Sequence, residues 1–250
     1  MKIIACIKRV PTTDFQPRVS ADGKSLDLAG VQYMVSFYDE IAVEEALRQK
    51  EKHGGEVTVV TIGPSESSKE VRECLAKGAD KGVILVDNDW SGREPLSTAK
   101  ALAKKIQELG ADMVFLGRVG TDRDHAAVGP MLATLLGWAC VTDVVGLEIA
   151  EGKGTARREA DGGVESFAFA LPAVVTCQKD LNEPRYAGLK GIMAAKKKPI
   201  EEQPCPAAAP QVELAKLALP PARKAGRIVG EGAAAVPALI DALRKEAKVL

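Results

Sequence analysis

Aromatic residues make up only 4% of this 250-residue sequence, and its charges cancel, 34 basic against 34 acidic. A chain so poor in stacking platforms, and with no basic excess, does not read as a nucleic-acid binder. Histidine occurs twice, at His53 and His125, and the five cysteines (Cys6, Cys74, Cys140, Cys177, Cys205) show no CxxC or CxxH spacing. No metal site is expected, and the scattered, odd-numbered cysteines suggest reduced, mostly buried thiols in a reducing compartment. No apolar run approaches the roughly 18 residues of a membrane span. The opening MKIIACIK lacks the length and cleavage site of a signal peptide. These absences predict a soluble, cytoplasmic protein without direct membrane insertion. Catalytic signatures are missing as well: GxSxG, HExxH, the Walker A pattern and a GxGxxG behind the first strand are not found.

What the sequence does have is rhythm. Apolar runs at Ile3–Ile7, Val57–Ile62, Gly82–Val86 and Met113–Leu116 read as buried strands. Between them lie helical patterns at Tyr38–Lys52, from Ser65 or Ser67 (either a candidate cap) to Gly78, and at Pro95–Leu109, with another at Val128–Leu136. In the first of these, Ile41, Ala42, Ala46 and Leu47 share one face, while Glu44, Glu45, Arg48 and Lys52 form a charged one. The alternation predicts an α/β fold, a doubly wound and mostly parallel, Rossmann-like sheet. After Val141 the segments Val144–Ile149, Thr155–Glu159 and Ser166–Ala170, joined by the turn segments Glu151-Gly152-Lys153-Gly154 and Asp161-Gly162-Gly163, suggest an antiparallel extension. Residues 1–200 are thus expected to form one nucleotide-binding α/β domain. Residues 201–250 read as a Pro- and Ala-rich extended arm with a terminal helix at Ala233–Lys248. That helix needs cover for its apolar face, from its own sheet or from a neighbouring chain.

In an open parallel sheet, ligands bind beyond the strand C-termini, where helix N-termini attract phosphate. The strongest local candidate follows the fourth strand: Gly117, Arg118, Val119, Gly120, Thr121, Asp122, Arg123, Asp124, His125, Ala126, Ala127 and Val128. Arg118, Arg123 and His125 supply positive charge; Asp122 suits a ribose or orders the loop. An ordinary turn with solvated charges would look the same. Cys6, Ile62 and the stretch Ser36, Phe37, Tyr38 and Asp39 should wall the same crevice. Asp39 and Glu40, in a first helical turn, read as dipole partners and not as a paired acid site.

The stretch Leu171–Pro199, LPAVVTCQKDLNEPRYAGLKGIMAAKKKP, opens as a strand, passes a polar turn and reaches a short helix before a lysine run. It delivers an apolar Leu189 to the surface, which suits protein contact better than catalysis. These residues, with Asp39-Glu40-Ile41-Ala42-Val43-Glu44-Glu45-Ala46 and Arg158-Glu159-Ala160-Asp161-Gly162-Gly163-Val164-Glu165, closely resemble the electron transfer flavoprotein (ETF) β-subunit family. The resemblance runs nearly end to end and weakens after Pro199.

The resemblance implies a non-enzymatic subunit that pairs with an ETF α subunit. FAD would be held mainly by that partner, and AMP by this chain, in the cradle just named. It places Thr13 and Glu165 near the flavin of the α subunit, and Arg185, Tyr186, Leu189, Ile192 and Met193 at the docking site for flavin dehydrogenases such as acyl-CoA dehydrogenases. A quinone oxidoreductase is the implied acceptor. The chain departs from the family pattern at Ser36-Phe37 and at Ala126-Ala127, which lack the family's amide side chains. Relatives that bifurcate electrons carry a second FAD in place of AMP, and this remains the alternative. A stand-alone adenine-nucleotide-binding regulator or hydrolase on the same architecture is a third.

Overall fold

The computed structural model describes residues 1–223 and 225–250. Strand β1 (Lys2–Ile7) is followed by a small antiparallel ribbon, β2 (Arg9–Pro11) with β3 (Tyr33–Val35), and then by α1 (Phe37–His53). Strands and helices then alternate: β4 (Glu56–Gly63), α2 (Ser68–Lys77), β5 (Lys81–Val86), α3 (Pro95–Leu109), β6 (Met113–Gly117) and α4 (Val128–Leu136). Next come β7 (Ala139–Ala150), β8 (Lys153–Ala160), β9 (Gly163–Ala170), β10 (Ala173–Cys177), α5 (Leu189–Ala195) and β11 (Ile200–Pro204), and α6 (Val236–Ala242) follows later. Nine strands form one sheet in the order β11-β5-β4-β1-β6-β10-β7-β8-β9. All neighbours from β11 to β7 are parallel, and β7, β8 and β9 are antiparallel. The chain winds outward from β1 through β4 to β5, then returns to place β6 on the other side of β1. The order therefore reverses between β1 and β6.

The strand runs are apolar throughout because both faces are covered. Ile3, Ala5 and Ile7 pack with Ile41 and Ala42 of α1 and Val71 and Cys74 of α2. Ile4 and Cys6 point the other way, into a layer with Ala99, Leu102 and Ile106 of α3 and Leu132 of α4. Met113 and Phe115 of β6 join the first layer, and Val114 and Leu116 the second. Burying each such large side chain contributes about 1.5–3 kcal/mol.

The expected doubly wound, mostly parallel sheet with its antiparallel extension is what forms. The hairpin turns are the two-residue kind: Glu151 and Gly152 have φ of 49° and 75°, and Gly162 has 87°. Strand β7 starts earlier than its apolar run, at Ala139, because Asp143 (φ 57°) sits at a register shift that interrupts the pattern without ending the strand.

One expectation needs correction, the helix cap, and the structure adds three details. Neither Ser65 nor Ser67 makes a side-chain cap bond, and a 3-10 turn at Ser65–Ser67 leads into α2 instead. Glu44 and Glu45, on the charged face of α1, are both buried, because the segment after β10 runs across α1 and supplies Arg185 and Asn182 as partners. Cys6, Cys74 and Cys177 are buried free thiols, Cys74 pushed up to about 12 by burial, while Cys140 is exposed. The last helix forms over nearly the expected residues but changes winding along its length: a 3-10 turn at Ala233–Ala235 leads into α6, which starts beside Pro237, and a π turn at Leu243–Ala247 follows it.

Residues 1–16 and 28–214 make one compact unit, and residues 17–27 and 215–250 a second. The sheet belongs to the first and reaches Pro204 through β11. In the second, the Val19–Leu26 bridge closes a polar turn whose Gly23 carbonyl accepts the Leu217 amide at 2.8 Å. Arg227 pairs with Glu246 at 2.6 Å, while Val236, Leu239 and Ile240 stay exposed.

Candidate functional site: a cleft at the sheet's switch point

Asp39, in the first turn of α1, is buried between the two strand ends where the order reverses. Its Oδ2 accepts the Lys8 amide, one residue past β1, at 2.8 Å, and its Oδ1 accepts the Gly117 amide, at the end of β6, at 2.7 Å. One carboxylate thus fastens both lips of the crevice. The approach requires glycine at 117, where a Cβ would lie 2.6 Å from the Tyr38 Cβ and 2.7 Å from Asp39 Oδ1. Burial pushes the Asp39 carboxyl up to about 7; the two amide bonds and the Lys8 charge oppose that shift.

Beyond these lips opens a cleft. Its floor and near wall are Cys6, Ile62, Asp39 and Gly117, and one side is the β6–α4 loop with Arg118, Val119, Gly120, Asp122, Arg123 and His125. Ala126, Ala127 and Val128 close that side at the start of α4. Ala127 provides no side-chain cap and Pro130 carries no amide proton, so the first turn of α4 presents its amides without a capping oxygen of its own. That is the arrangement in which a helix start holds an anion. Asp124 and Ala126 have φ of 49° and 50°, which turns the loop sharply before the helix.

Five of the residues expected in the cradle, Ser36, Phe37, Tyr38, Thr121 and Asp124, stand behind or beside it. Ser36 is fully buried, and its hydroxyl accepts the Thr121 amide at 3.3 Å, bracing the loop from below. Phe37 is half exposed and meets Tyr38 edge-on, with ring centres 5.2 Å apart. Arg118 lies over the Tyr38 ring at 5.8 Å and pairs with Asp143 at 3.1 Å. Thr121 and Asp124 are exposed and do not line the cleft.

The sequence reading missed the opposite wall: Lys8 from the end of β1, and Trp90, Ser91, Arg93, Thr98 and Leu102 from the β5–α3 region. The signal was present, since β5 is also a parallel strand and its C-terminal loop opens on the same edge of the sheet. Lys8 binds Asp122 at 2.6 Å, and Arg123 reaches across to the Ser91 carbonyl, so two contacts span the cleft. Arg93 is held by Asp87 at 2.7 Å, and Trp90 meets Tyr33 edge-on at 6.0 Å.

Elsewhere, Tyr186 and Leu189 are 98% and 83% exposed, with Ile192 and Met193 beside them on α5. Arg185 points away from this patch, onto α1. There Glu44 is held below its usual value: burial alone would raise it, but the Arg185 and Arg48 bonds outweigh that. Lys198 is not part of a solvated charge run. Its amine donates to the carbonyls of Leu75 (2.9 Å) and Ala79 (2.6 Å) at the end of α2. Thr13 is exposed in the turn after β2, and Glu165, on β9, pairs with Arg158. Among the described residues there is no cluster of metal-ligating side chains, and no helix is long and apolar enough to cross a membrane.

A doubly wound, mostly parallel sheet with a walled crevice at its switch point places the chain among the open-sheet α/β proteins. The model of the electron transfer flavoprotein domain matches residues 25–208. The chain is 41% identical to the electron transfer flavoprotein subunit beta of Bradyrhizobium diazoefficiens over 257 aligned residues, which cover all of both proteins. It is 36% identical to that of Bacillus subtilis over 259, and 38% to the mitochondrial one of Arabidopsis thaliana over 257, again over full lengths. The chain belongs to the electron transfer flavoprotein β-subunit family.

Proposed function

We propose that this chain is the β half of a heterodimeric electron carrier. In this reading it holds AMP in the switch-point cleft, completes the FAD site of an α subunit, and docks flavin dehydrogenases through the Leu189 patch. A quinone oxidoreductase would then take the electrons onward. The observation that carries the reading is the cleft itself: an uncapped helix start beside Lys8 and Arg118, with small residues at Gly117, Gly120, Ala126 and Ala127 that leave the backbone within reach. AMP fits this chemistry, its phosphate at the start of α4 and its base against the apolar Ile62, Leu102 and Leu116. The exposed apolar stripe of α6 suits cover by the α subunit. FAD, when bound by the partner, supplies the redox chemistry; this chain contributes wall and docking surface.

A second reading puts another FAD in the same cleft. The wall of Trp90, Arg93 and Thr98 favours it, because it extends the crevice away from the helix start. Nucleotide extraction from the co-expressed heterodimer separates the two. One FAD and one AMP per heterodimer are expected; two FAD without AMP select the second reading. A colourless chain that binds no partner overturns both.

Docking has its own test. Truncating an exposed anchor that becomes buried in a complex costs about 2 kcal/mol, so Leu189→Ala should raise KM for the reducing dehydrogenase roughly thirtyfold. Flavin content should stay at the wild-type level.

A further inference from the structure

The Leu189 patch stands on a bridge with two anchors. At its C-terminal end, α5 is fixed on α2: Ala195 is buried, and Arg72 donates to the carbonyls of Ala195 and Lys198. At its N-terminal end there is no regular structure, only side chains gripping α1. Asn182 donates to the Ile41 carbonyl and to Glu45, both at 3.1 Å. Arg185 does more. Its Nε and Nη2 bind the two oxygens of Glu44 at 2.8 and 2.9 Å, its Nη1 and Nη2 bind Glu51 at 2.5 and 3.1 Å, and its own amide reaches Glu44 at 3.1 Å.

Glu44 and Glu51 are two turns apart on one face of α1, so a planar fork seated between them is fixed in direction as well as place. Between the anchors, Tyr186, Ala187, Gly188 and Leu189 make no side-chain hydrogen bond or ion pair among the described residues. Where the patch stands is therefore set by what holds its ends.

We propose that Arg185 is a positioning residue for docking: by straddling Glu44 and Glu51 it sets the stance of the Tyr186–Leu189 bridge, and it does so without contacting the partner. The inference rests on the docking reading above. Four of the five guanidinium N–H groups are spent on Glu44 and Glu51, so its main contribution to affinity is pre-organisation. Lysine keeps the charge but has no fork, and cannot bind both carboxylates in a fixed direction.

The test uses the intact heterodimer and a flavin dehydrogenase that reduces the wild type. Arg185→Lys is expected to raise KM for the carrier about five- to tenfold, with kcat within twofold and flavin content unchanged. Amide hydrogen exchange at position 185, whose amide bonds to Glu44, and at Ile192, whose amide bonds to the Gly188 carbonyl, should speed up, which a partner-contact role for Arg185 would not cause. Glu51→Gln, at an exposed carboxylate, should shift both readouts the same way by less, and it serves if the arginine variant folds poorly. If Leu189→Ala raises KM while Arg185→Lys leaves KM and exchange at wild-type values, the positioning role is wrong and docking stands. If Leu189→Ala leaves KM unchanged, the docking reading falls and this inference falls with it.

Discussion

Asp39→Ala should destabilise the chain by about 2–4 kcal/mol at pH 5, because two buried amides lose their acceptor at once. The amides of Lys8 and Gly117 both lose the carboxylate they donate to, and methyl leaves a small void in its place. The pH dependence has a definite sign. The folded-state value, about 7, lies above the unfolded 3.8, so the stability this group contributes is complete below about pH 4 and is lost as pH rises through 7. The gap between wild type and variant should therefore narrow between pH 5 and pH 8. Urea unfolding at both values measures it. Equal midpoints at pH 5 would show that Asp39 does not hold the strand ends. On the proposed function, the variant should also retain less nucleotide, since both lips of the cleft move apart.

The second large effect is expected at Gly191. A Cβ there would lie 2.3 Å from the backbone carbonyl oxygen of Ala76, so α5 must lift from α2 to accept it. Overpacking of this kind costs about 1–3 kcal/mol, or a fall in Tm of roughly 3–8 °C in a chain of this size. The carbonyl bonds of Arg72 and Lys198 would weaken with it. Gly188→Ala is the matching control, because nothing lies within 4 Å of a Cβ built there. A thermal melt of both variants decides: an unchanged Gly191→Ala would mean that α5 is not seated as closely as these distances state.

Much of this molecule was legible in its sequence, and the illegible parts share a cause. Strands buried on both faces announce themselves as unbroken apolar runs, and helices with one dry face as a 3.6-residue period, so β1, β4, β5, β6 and α3 were readable nearly to the residue. Local pattern says nothing about which distant segment covers a charged face. Glu44 and Glu45 look solvated until Asn182 and Arg185 arrive from about 140 positions away. Lys198 has the look of a surface charge until α2 turns its last carbonyls toward it. The cleft follows the same logic. The side after β6 stood out through its glycines and charges, whereas Trp90, Arg93 and Thr98 carry no local mark and belong to the site through sheet order alone.

The double bond of Asp39 has one more consequence. With the ends of β1 and β6 already tied, the proposed nucleotide would meet a rigid base and need not organise it. The entropy of capture then falls on the arch from Arg118 to Ala127, and substitutions there should alter how tightly a ligand is kept while leaving the melting point of the sheet almost where it was.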